Sequence, residues 1–564
     1  MAHSRFFNRQ QIEDLIAAGQ TIIIFQNNVL KLNDGWKDKH PGGRLVLDHM
    51  IGRDATAEID AMHTQDTLRT MERYRIGRVV GPWQNLKPPI QGGRFETPEE
   101  VGSNNHNAAW DADPQDSGID CDTSSDSSSI DCSPKLQPYK RLPHNFGPAI
   151  ERLDSAIDLP TTLPSENTAC SPADYVANTV QDEIDVDLAK YPALDFDTQR
   201  SIALKFQALH QRVKDEGFYE CRFIEYGKEM IRYAGLFALF ILTLRQGWYF
   251  VSACFLGLFW HQIMFTAHDA GHRGITRNIT IDTIIGIFIA DLCCGLSIGW
   301  WKSSHNVHHL LTNAPEHDPD IQNIPLFATA PAFLQNMKSS YYDNFEFLWD
   351  RVAAIAVRIQ KYTYYPIMAV ARFNLYALSW GFLLSKRSHT RGKTWWTRPT
   401  EIACISAYFF LYFYLLLYLC IPTWTARAVF LLTSHLVTMP LHVQITLSHW
   451  GTSTADLGPG ESFAQRQLRT TMDVACPEWL DFVHGGLQFQ VVHHLFPRVP
   501  RHNLRKLQVL VRKFCAETEI EYLIHGFVAG NGVVLSRLEQ VAEQARLMAE
   551  CQKHMAATGE SGLH

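Results

Sequence analysis

Three short frames in this chain place histidines where they can act together. His268 and His272 stand four apart in HDAGH. His305, His308 and His309 make up HNVHH, and His493 and His494 close QVVHH, where Gln490 takes the place that histidine holds in the second frame. Residues i, i+3 and i+4 share one face of a helix, so each frame can aim two or three imidazoles at one point. Imidazole suits iron, and seven converging histidines exceed what one metal ion needs, so a two-iron centre is the economical interpretation. Asp269 and Asn306, inside the first two frames, and Gln490 at the head of the third are the candidate catalytic residues. An amide is neutral and can hydrogen-bond a metal-bound water or oxygen species, which gives Gln490 a tuning or positioning role.

A second histidine pair lies far from these. His40 opens HPGG, and His63 follows 23 residues later, with GRDAT between them. Pro41, Gly42 and Gly43 form a tight turn that presents His40 from a loop. Two neutral imidazoles opposed across a slot can ligate haem iron from both sides and leave no open position. That arrangement suits electron transfer rather than oxygen binding. Leu45, Val46 and Ile51 are candidate walls of the slot.

The elements that carry these residues divide the chain. Residues 1–80 read as a small folded module, with the alternating stretches TIIIF and NVLKL. Residues 81–170 are rich in Pro, Ser, Asp and Asn, culminating in SGIDCDTSSDSSSIDC, and are expected to be a disordered linker. Residues 171–550 hold dense apolar runs between polar ends, the pattern of an integral membrane domain, and 551–564 form a tail. Transmembrane segments are predicted as hairpins at about 233–267 and 401–447, four spans in all. The intervening stretch 338–398 carries ten Lys/Arg and is expected on the cytosolic side with both termini. Ile281–Ile298 is long enough to cross but contains Asp282 and Asp291, so it is expected to lie at the interface or re-enter. That keeps the first and second frames on one side. Trp300, Trp301, Trp395 and Trp396 read as interfacial anchors.

Composition excludes several classes. The net charge of −7 with no basic excess argues against nucleic-acid binding. Twelve cysteines without a CxxC pair exclude a zinc ribbon and a disulfide scaffold.

The stretch from 8 to 80, with HPGG, GRDAT and His63 in register, resembles the cytochrome b5 domain, in which these two histidines hold haem b. HDAGH, HNVHH and QVVHH, with GHRGIT, NAPEHDPDIQ and GGLQFQVVHHLFPRVPRHNL around them, resemble the three histidine boxes of membrane fatty-acyl desaturases. Glutamine at the head of the third box is similar to the front-end branch, and IGIFIADLCCGLSIGWWKSSHNVHH looks most like its fungal delta-8 sphingolipid members.

The resemblance implies a multi-domain architecture: a small α+β haem domain, the linker, and an α-helical membrane domain of about four spans with a cytosolic helical cap. It implies two iron ions held by the box histidines, molecular oxygen as co-substrate, and ceramide or another membrane lipid as substrate. It also implies an NADH-dependent cytochrome b5 reductase as donor and a place in the endoplasmic reticulum membrane, with both metal sites facing the cytosol. Such sites have more ligands than the box histidines, and His449 is the candidate for the next one. Of its partners at seven-residue spacing, His442 is expected to line the channel or orient a ligand and His435 to pack inside the bundle, because about 10 Å of rise separates each from the next. His261 is expected at the interface or channel. His317, Asp318 and Asp320 are expected behind the ligands or in loop structure. The alternatives are a desaturase of fatty acyl chains on coenzyme A or phospholipid, a lipid hydroxylase, and a membrane-anchored haem electron carrier whose histidine clusters are structural.

Overall fold

In the computed structural model, residues 5–37, 39–40, 42–87, 171–388 and 394–558 are described. The N-terminal module is built on four strands, β1 (Phe6–Phe7), β2 (Thr21–Phe25), β3 (Asn28–Leu32) and β4 (Arg75–Val79), in the order β1-β4-β3-β2. β2 and β3 form a tight hairpin whose turn residues, Gln26 and Asn27, both have positive φ, as a two-residue turn of this hand requires. The short helices Leu45–Asp48, Thr56–Met62 and Gln65–Met71 lie between β3 and β4 in the chain and bracket the histidine slot. The module extends past its expected end at 80. Leu86 is buried at 1% exposure, and Trp83 Nε1 and Leu86 N both donate to the Gly52 carbonyl. Apolar cover for the module thus comes from residues that composition had assigned to the linker; positions 88–170 lie outside the described residues.

The membrane part begins with α1 (Phe223–Arg245) and α2 (Tyr249–Gly271). Next come α3 (Ile298–Leu310), α4 (Gln360–Leu384), α5 (Thr397–Cys420) and α6 (Trp424–Leu447). Gly257 brings α2 against α6, since a Cβ there would meet the Ser434 carbonyl at 2.6 Å. Among the described residues four helices are long and apolar enough to cross a membrane: α2, α4, α5 and α6. The number matches the expectation, but the membership differs. α4 lies inside the stretch expected as a cytosolic loop, and its one central cation, Arg372, is buried against Trp260. α1 has the length, but Glu225, Lys228, Glu229 and Arg232 fill its first half.

The Ile281–Ile298 region does not run straight. Ile279–Cys293 and α3 meet at 115°. Asp282 caps its own approach by accepting from Thr276 N and Oγ1, and Asp291 accepts from Ile298 N at the corner. Of the two aspartates that made a straight span costly, Asp282 fixes the turn before the first helix and Asp291 holds the bend.

A helical cap covers this assembly. α7 (Gln490–Leu495) and α8 (Arg501–Thr518) pack on Phe196–Asp215 through Phe206, Phe496, Leu507 and Val511. The final helix, α9 (Phe527–Thr558), continues through most of the expected tail; residues 559–564 lie outside the described residues. The haem-type module is seated directly on the membrane part. Val307, Leu311 and Ala314 of the second frame's segment share one apolar cluster with Ile23, Phe25, Leu47 and Met50 of the module. Asn85 Nδ2 also donates to the Pro459 carbonyl at 3.1 Å.

Candidate metal centres

In the N-terminal module the rings of His40 and His63 lie 5.9 Å apart. His40 Nδ1 donates to the Gly43 carbonyl at 3.2 Å and His63 Nδ1 to the Ile59 carbonyl at 3.0 Å. Both rings therefore keep Nε2 as a bare lone pair, the arrangement an axial ligand needs. Gly43 takes φ +87° to close the turn behind His40. Burial holds His40 down to about 4, and burial with the charge of His40 holds His63 down to about 3, so both rings are neutral and able to bind metal at physiological pH. The slot fits a haem held by two histidines.

The second site forms where α2, the bent segment, α6 and α7 converge. The donor atoms of His268, His272, His305 and His493 lie within 4.8 Å of one another, as do those of His308, His449 and His494. His309 stands between the two sets, with its ring 4.2 Å from His494, 4.5 Å from His305 and 4.8 Å from His272. All eight expected ligands meet in one place.

Their other nitrogens show how each ring is set. His308 Nδ1 donates to Asp318 Oδ2 at 2.8 Å, His494 Nδ1 to Gln467 Oε1 at 2.9 Å, and His449 Nδ1 to the Thr470 carbonyl at 3.4 Å. The ring atoms left without a hydrogen-bond partner are Nε2 of His268, His272, His493 and His494, and Nδ1 of His309. A buried polar atom without a partner costs free energy. A row of them on oriented imidazoles fits the donor set that two metal ions would need.

Two neighbouring glycines make this convergence possible. A Cβ on Gly271 would come within 2.1 Å of the Trp301 indole, and one on Gly485 within 2.1 Å of the Phe265 ring. Trp301 is not the interfacial anchor the sequence suggested. It stacks on His305 at 4.3 Å and meets His268 and His272 edge-on, forming a wall of the site.

Two of the three candidate catalytic residues make their main contacts away from the cavity, although Asp269 Oδ1 also lies 3.7 Å from His268 Nδ1. Asp269 Oδ2 accepts from Arg501 and from Tyr226, and Arg501 also binds Glu229, so Asp269 locks α1, α2 and α8 together. The Asn306 amide points at the N-terminal module, with Nδ2 3.5 Å from where a Cβ on Gly42 would stand. Both departures have one cause: the residue next to a ligand on a helix is turned about 100° from the ligand's face. Gln490 does line the site, and its Oε1 is buried without a partner.

The histidines outside the boxes separate in the same way. His442 lines the cavity described below, whereas His435 is buried, donates to the Leu431 carbonyl and stacks on Phe373. His261 is buried beside Gln262, His484 pairs with Gln444, and His317 packs on His49 of the N-terminal module.

Sequence reasoning missed Gln467, which fixes both His494 and, through its Nε2, the His309 carbonyl. It also missed Asp473, which accepts from Val491 N and so anchors the start of α7. Neither lies in a recurring frame; Gln467 reaches His494 and Asp473 reaches the Val491 N–H, each from a separate segment.

A cavity of about 960 Å³ opens onto the histidines. Its apolar lining includes Ile367, Met368, Leu441 and Ile445, with Tyr342, Phe345 and Phe347 from the hairpin Met337–Ser339/Phe345–Phe347. Ser304, Asp320, Gln322 and Asn323 share the wall that holds His305 and His308.

The family comparisons agree with this geometry. Residues 246–525 match the fatty acid desaturase family, and residues 9–80 match the cytochrome b5-like heme/steroid binding domain. The chain is 45% identical over 560 residues to a Delta 8-(E)-sphingolipid desaturase of Emericella nidulans, covering 99% of this chain and 98% of the relative. It is 44% identical to the protein of that name from Candida albicans, with 98% of each covered. The chain belongs to the membrane fatty acid desaturases with a fused cytochrome b5 domain. More distantly, an Acyl-lipid (9-3)-desaturase of Borago officinalis is 37% identical over 52% of this chain and 64% of its own length. The desaturase is an oxidoreductase, its haem slot belongs to the cytochrome b5 domain, and its histidine clusters are those for which the family implies iron.

Proposed function

We propose that this desaturase inserts a double bond at the delta-8 position of the sphingoid long-chain base of ceramide, with molecular oxygen as co-substrate. The observation that carries the proposal is the make-up of the cavity beside the histidines. The reacting carbons of such a base lie only a few bonds from its hydroxyl and amide groups. Polar groups must therefore stand close to the metal site, and Ser304, Asp320, Gln322 and Asn323 do so on the wall of His305 and His308. The apolar remainder, between α4 and α6, takes the rest of the chain. The names of the fungal relatives point to the same substrate. The Borago relative keeps a front-end acyl desaturase as the rival reading.

Iron at the two histidine sets would supply, with oxygen, an oxidant strong enough for an unactivated methylene. The overall change balances: oxygen takes two hydrogens from the chain and two electrons with two protons from the haem side, leaving two waters and one alkene. The protein's contribution is placement. Trp301 walls off one side of the histidines from water, and the cavity fixes which methylene stands opposite them. Asp318, Gln467 and the Thr470 carbonyl hold His308, His494 and His449 in the tautomer that presents Nε2. Gln490 offers a neutral amide at the cavity wall, where it orients a bound water, an oxygen species or the substrate.

The enzyme is placed in the endoplasmic reticulum membrane, with the haem domain and the histidine site on the cytosolic side. An NADH-dependent cytochrome b5 reductase supplies the electrons. Expression in a host that makes saturated sphingoid bases tests the reading: a new delta-8 bond in those bases supports it, and a new bond confined to fatty acyl chains overturns it.

A further inference from the structure

The seat of the haem domain contains three cations whose nearest carboxylates, Asp282, Glu401 and Asp60, act on them only from beyond ion-pair distance. Arg273 follows the last histidine of the first box, Lys302 lies one turn before Asn306 on α3, and Arg498 stands just before α8. All three are half-buried. Among the described residues none of them forms an ion pair with a carboxylate, while their neighbour Arg501 takes both Asp269 and Glu229. Arg498 donates one Nη1 bond to the carbonyl of His63, lies over Tyr219, and leaves its Nε buried without a partner. The charge of Arg273 is felt at His40, His63, Lys302 and Arg498. Three half-buried cations without a directly paired carboxylate repel one another and lose hydration. Such a cluster is built for an anion.

Haem is an anion of the fitting kind. It carries two carboxylate side chains on one edge; Arg498 bonds the His63 carbonyl, the charges of Arg273 and Arg498 are felt at the slot histidines, and Lys302 adjoins Arg273. The contact of Asn306 with the HPGG turn and the bond from Arg498 to the His63 carbonyl put both ends of the slot against the desaturase. We propose that Arg273, Lys302 and Arg498 form a seat for the haem carboxylates, so that the haem is held jointly by the cytochrome b5 domain and the desaturase domain. Guanidinium forks suit carboxylates, and an ammonium adds a point charge beside them. The seat also fixes the haem edge beside α3, where Asn306 adjoins the box histidine His305. The domain then delivers electrons from a set position rather than by diffusion on a tether. The inference rests on the haem reading of His40 and His63, but not on which lipid is desaturated.

The test uses the full chain in detergent, stripped of haem and refilled with either native haem or its dimethyl ester, which keeps the iron and lacks the two charges. Haem transfer to excess apomyoglobin gives retention, and redox titration of the Soret band gives the midpoint potential. The seat predicts that native haem leaves at least tenfold more slowly than the ester in the wild-type chain. It further predicts that Lys302→Gln with Arg498→Gln removes that difference, whereas Lys302→Arg with Arg498→Lys keeps most of it. Loss of the cations also lowers the potential of native haem, about 59 mV for each tenfold change in the ferrous-to-ferric ratio. The wild-type comparison needs no substitution, so a variant that fails to fold leaves the test intact. Equal departure of the two haems from the wild-type chain overturns the seat, as does a Gln variant that retains the full difference. A lipid phosphate as the true occupant of the cations gives the same indifference to esterification. A chain that takes up no haem with His40 and His63 intact overturns the haem reading and the seat together, which separates the two failures.

Discussion

Asp318 is the residue through which the structure makes its sharpest quantitative claim about the metal site. Its carboxylate is fully buried and accepts three bonds: from His308 Nδ1 at 2.8 Å and Asn313 N at 2.8 Å on Oδ2, and from Asp320 N at 2.9 Å on Oδ1. Asp318→Asn keeps the shape but has only one accepting atom. With its oxygen at the Oδ2 position it retains two bonds, loses the third and sets an amide N–H against the Asp320 N–H. The bond to His308 falls from charge-assisted to neutral, about 1 kcal/mol, and the orphaned Asp320 N–H costs about 1–3 kcal/mol. Loss of a partner of this kind weakens metal binding roughly 10–100-fold, or about 1.4–2.7 kcal/mol. His308 belongs with His449 and His494, so the effect falls on one of the two sets. The assay is iron per haem across a chelator series, with haem counted from its Soret band. Wild type is expected to hold about two irons beyond the haem at chelator levels where Asp318→Asn holds about one. Superimposable chelator curves for the two proteins would refute the claim that Asp318 sets the His308 ring for metal.

Three further outcomes follow from the same structure. His40→Ala or His63→Ala removes haem and abolishes turnover while leaving the other irons in place, read by Soret absorbance, iron analysis and product formation together; full desaturation by the haem-free variant would show that a separate cytochrome suffices. Arg469 is fully buried between Glu461 at 2.9 Å and Asp187 at 2.8 Å, so Arg469→Ala strands two buried carboxylates and costs about 3–5 kcal/mol, measured as a lowered thermal midpoint. Burial pushes Asp473 up to about 7, so between the ordinary carboxylate range and that value the folded chain binds the extra proton. Stability contributed there falls as pH rises through about 7, and Asp473→Asn flattens that part of the melting-temperature profile.

The three boxes were legible because local periodicity alone puts i, i+3 and i+4 on one helix face, and the rings of HNVHH do share a face. The haem pair was legible for a similar reason: the HPGG turn and the spacing to His63 are local signals. The supports of the site were harder to read. Gln467 and Asp473 act across chain separations of 27 and 18 residues with no pattern near either, and only the packed cap brings them to His494 and Val491. α4 was misplaced because charged residues flank it and Arg372 interrupts it. The fold removes that objection by bonding the guanidinium to the Cys294 carbonyl and Tyr376 and laying it 4.3 Å from the centre of the Trp260 ring. Trp301 was misread for the opposite reason, since a tryptophan at a helix start suits an interface as well as a site wall. The docking of the haem domain rests on Val307, Leu311 and Ala314, apolar residues interleaved with histidines, whose second partner no single-chain pattern reveals.

The central claim is that the histidine centre desaturates a sphingoid base beside its polar end. It is tested most directly by locating double bonds in the lipids of a host expressing the intact chain, using ozonolysis and mass spectrometry on the sphingoid-base and fatty-acyl fractions separately. The account predicts a new bond at the eighth carbon of the sphingoid base, present with the wild-type chain and absent with His308→Ala. A new bond in the acyl fraction with unchanged sphingoid bases would contradict it.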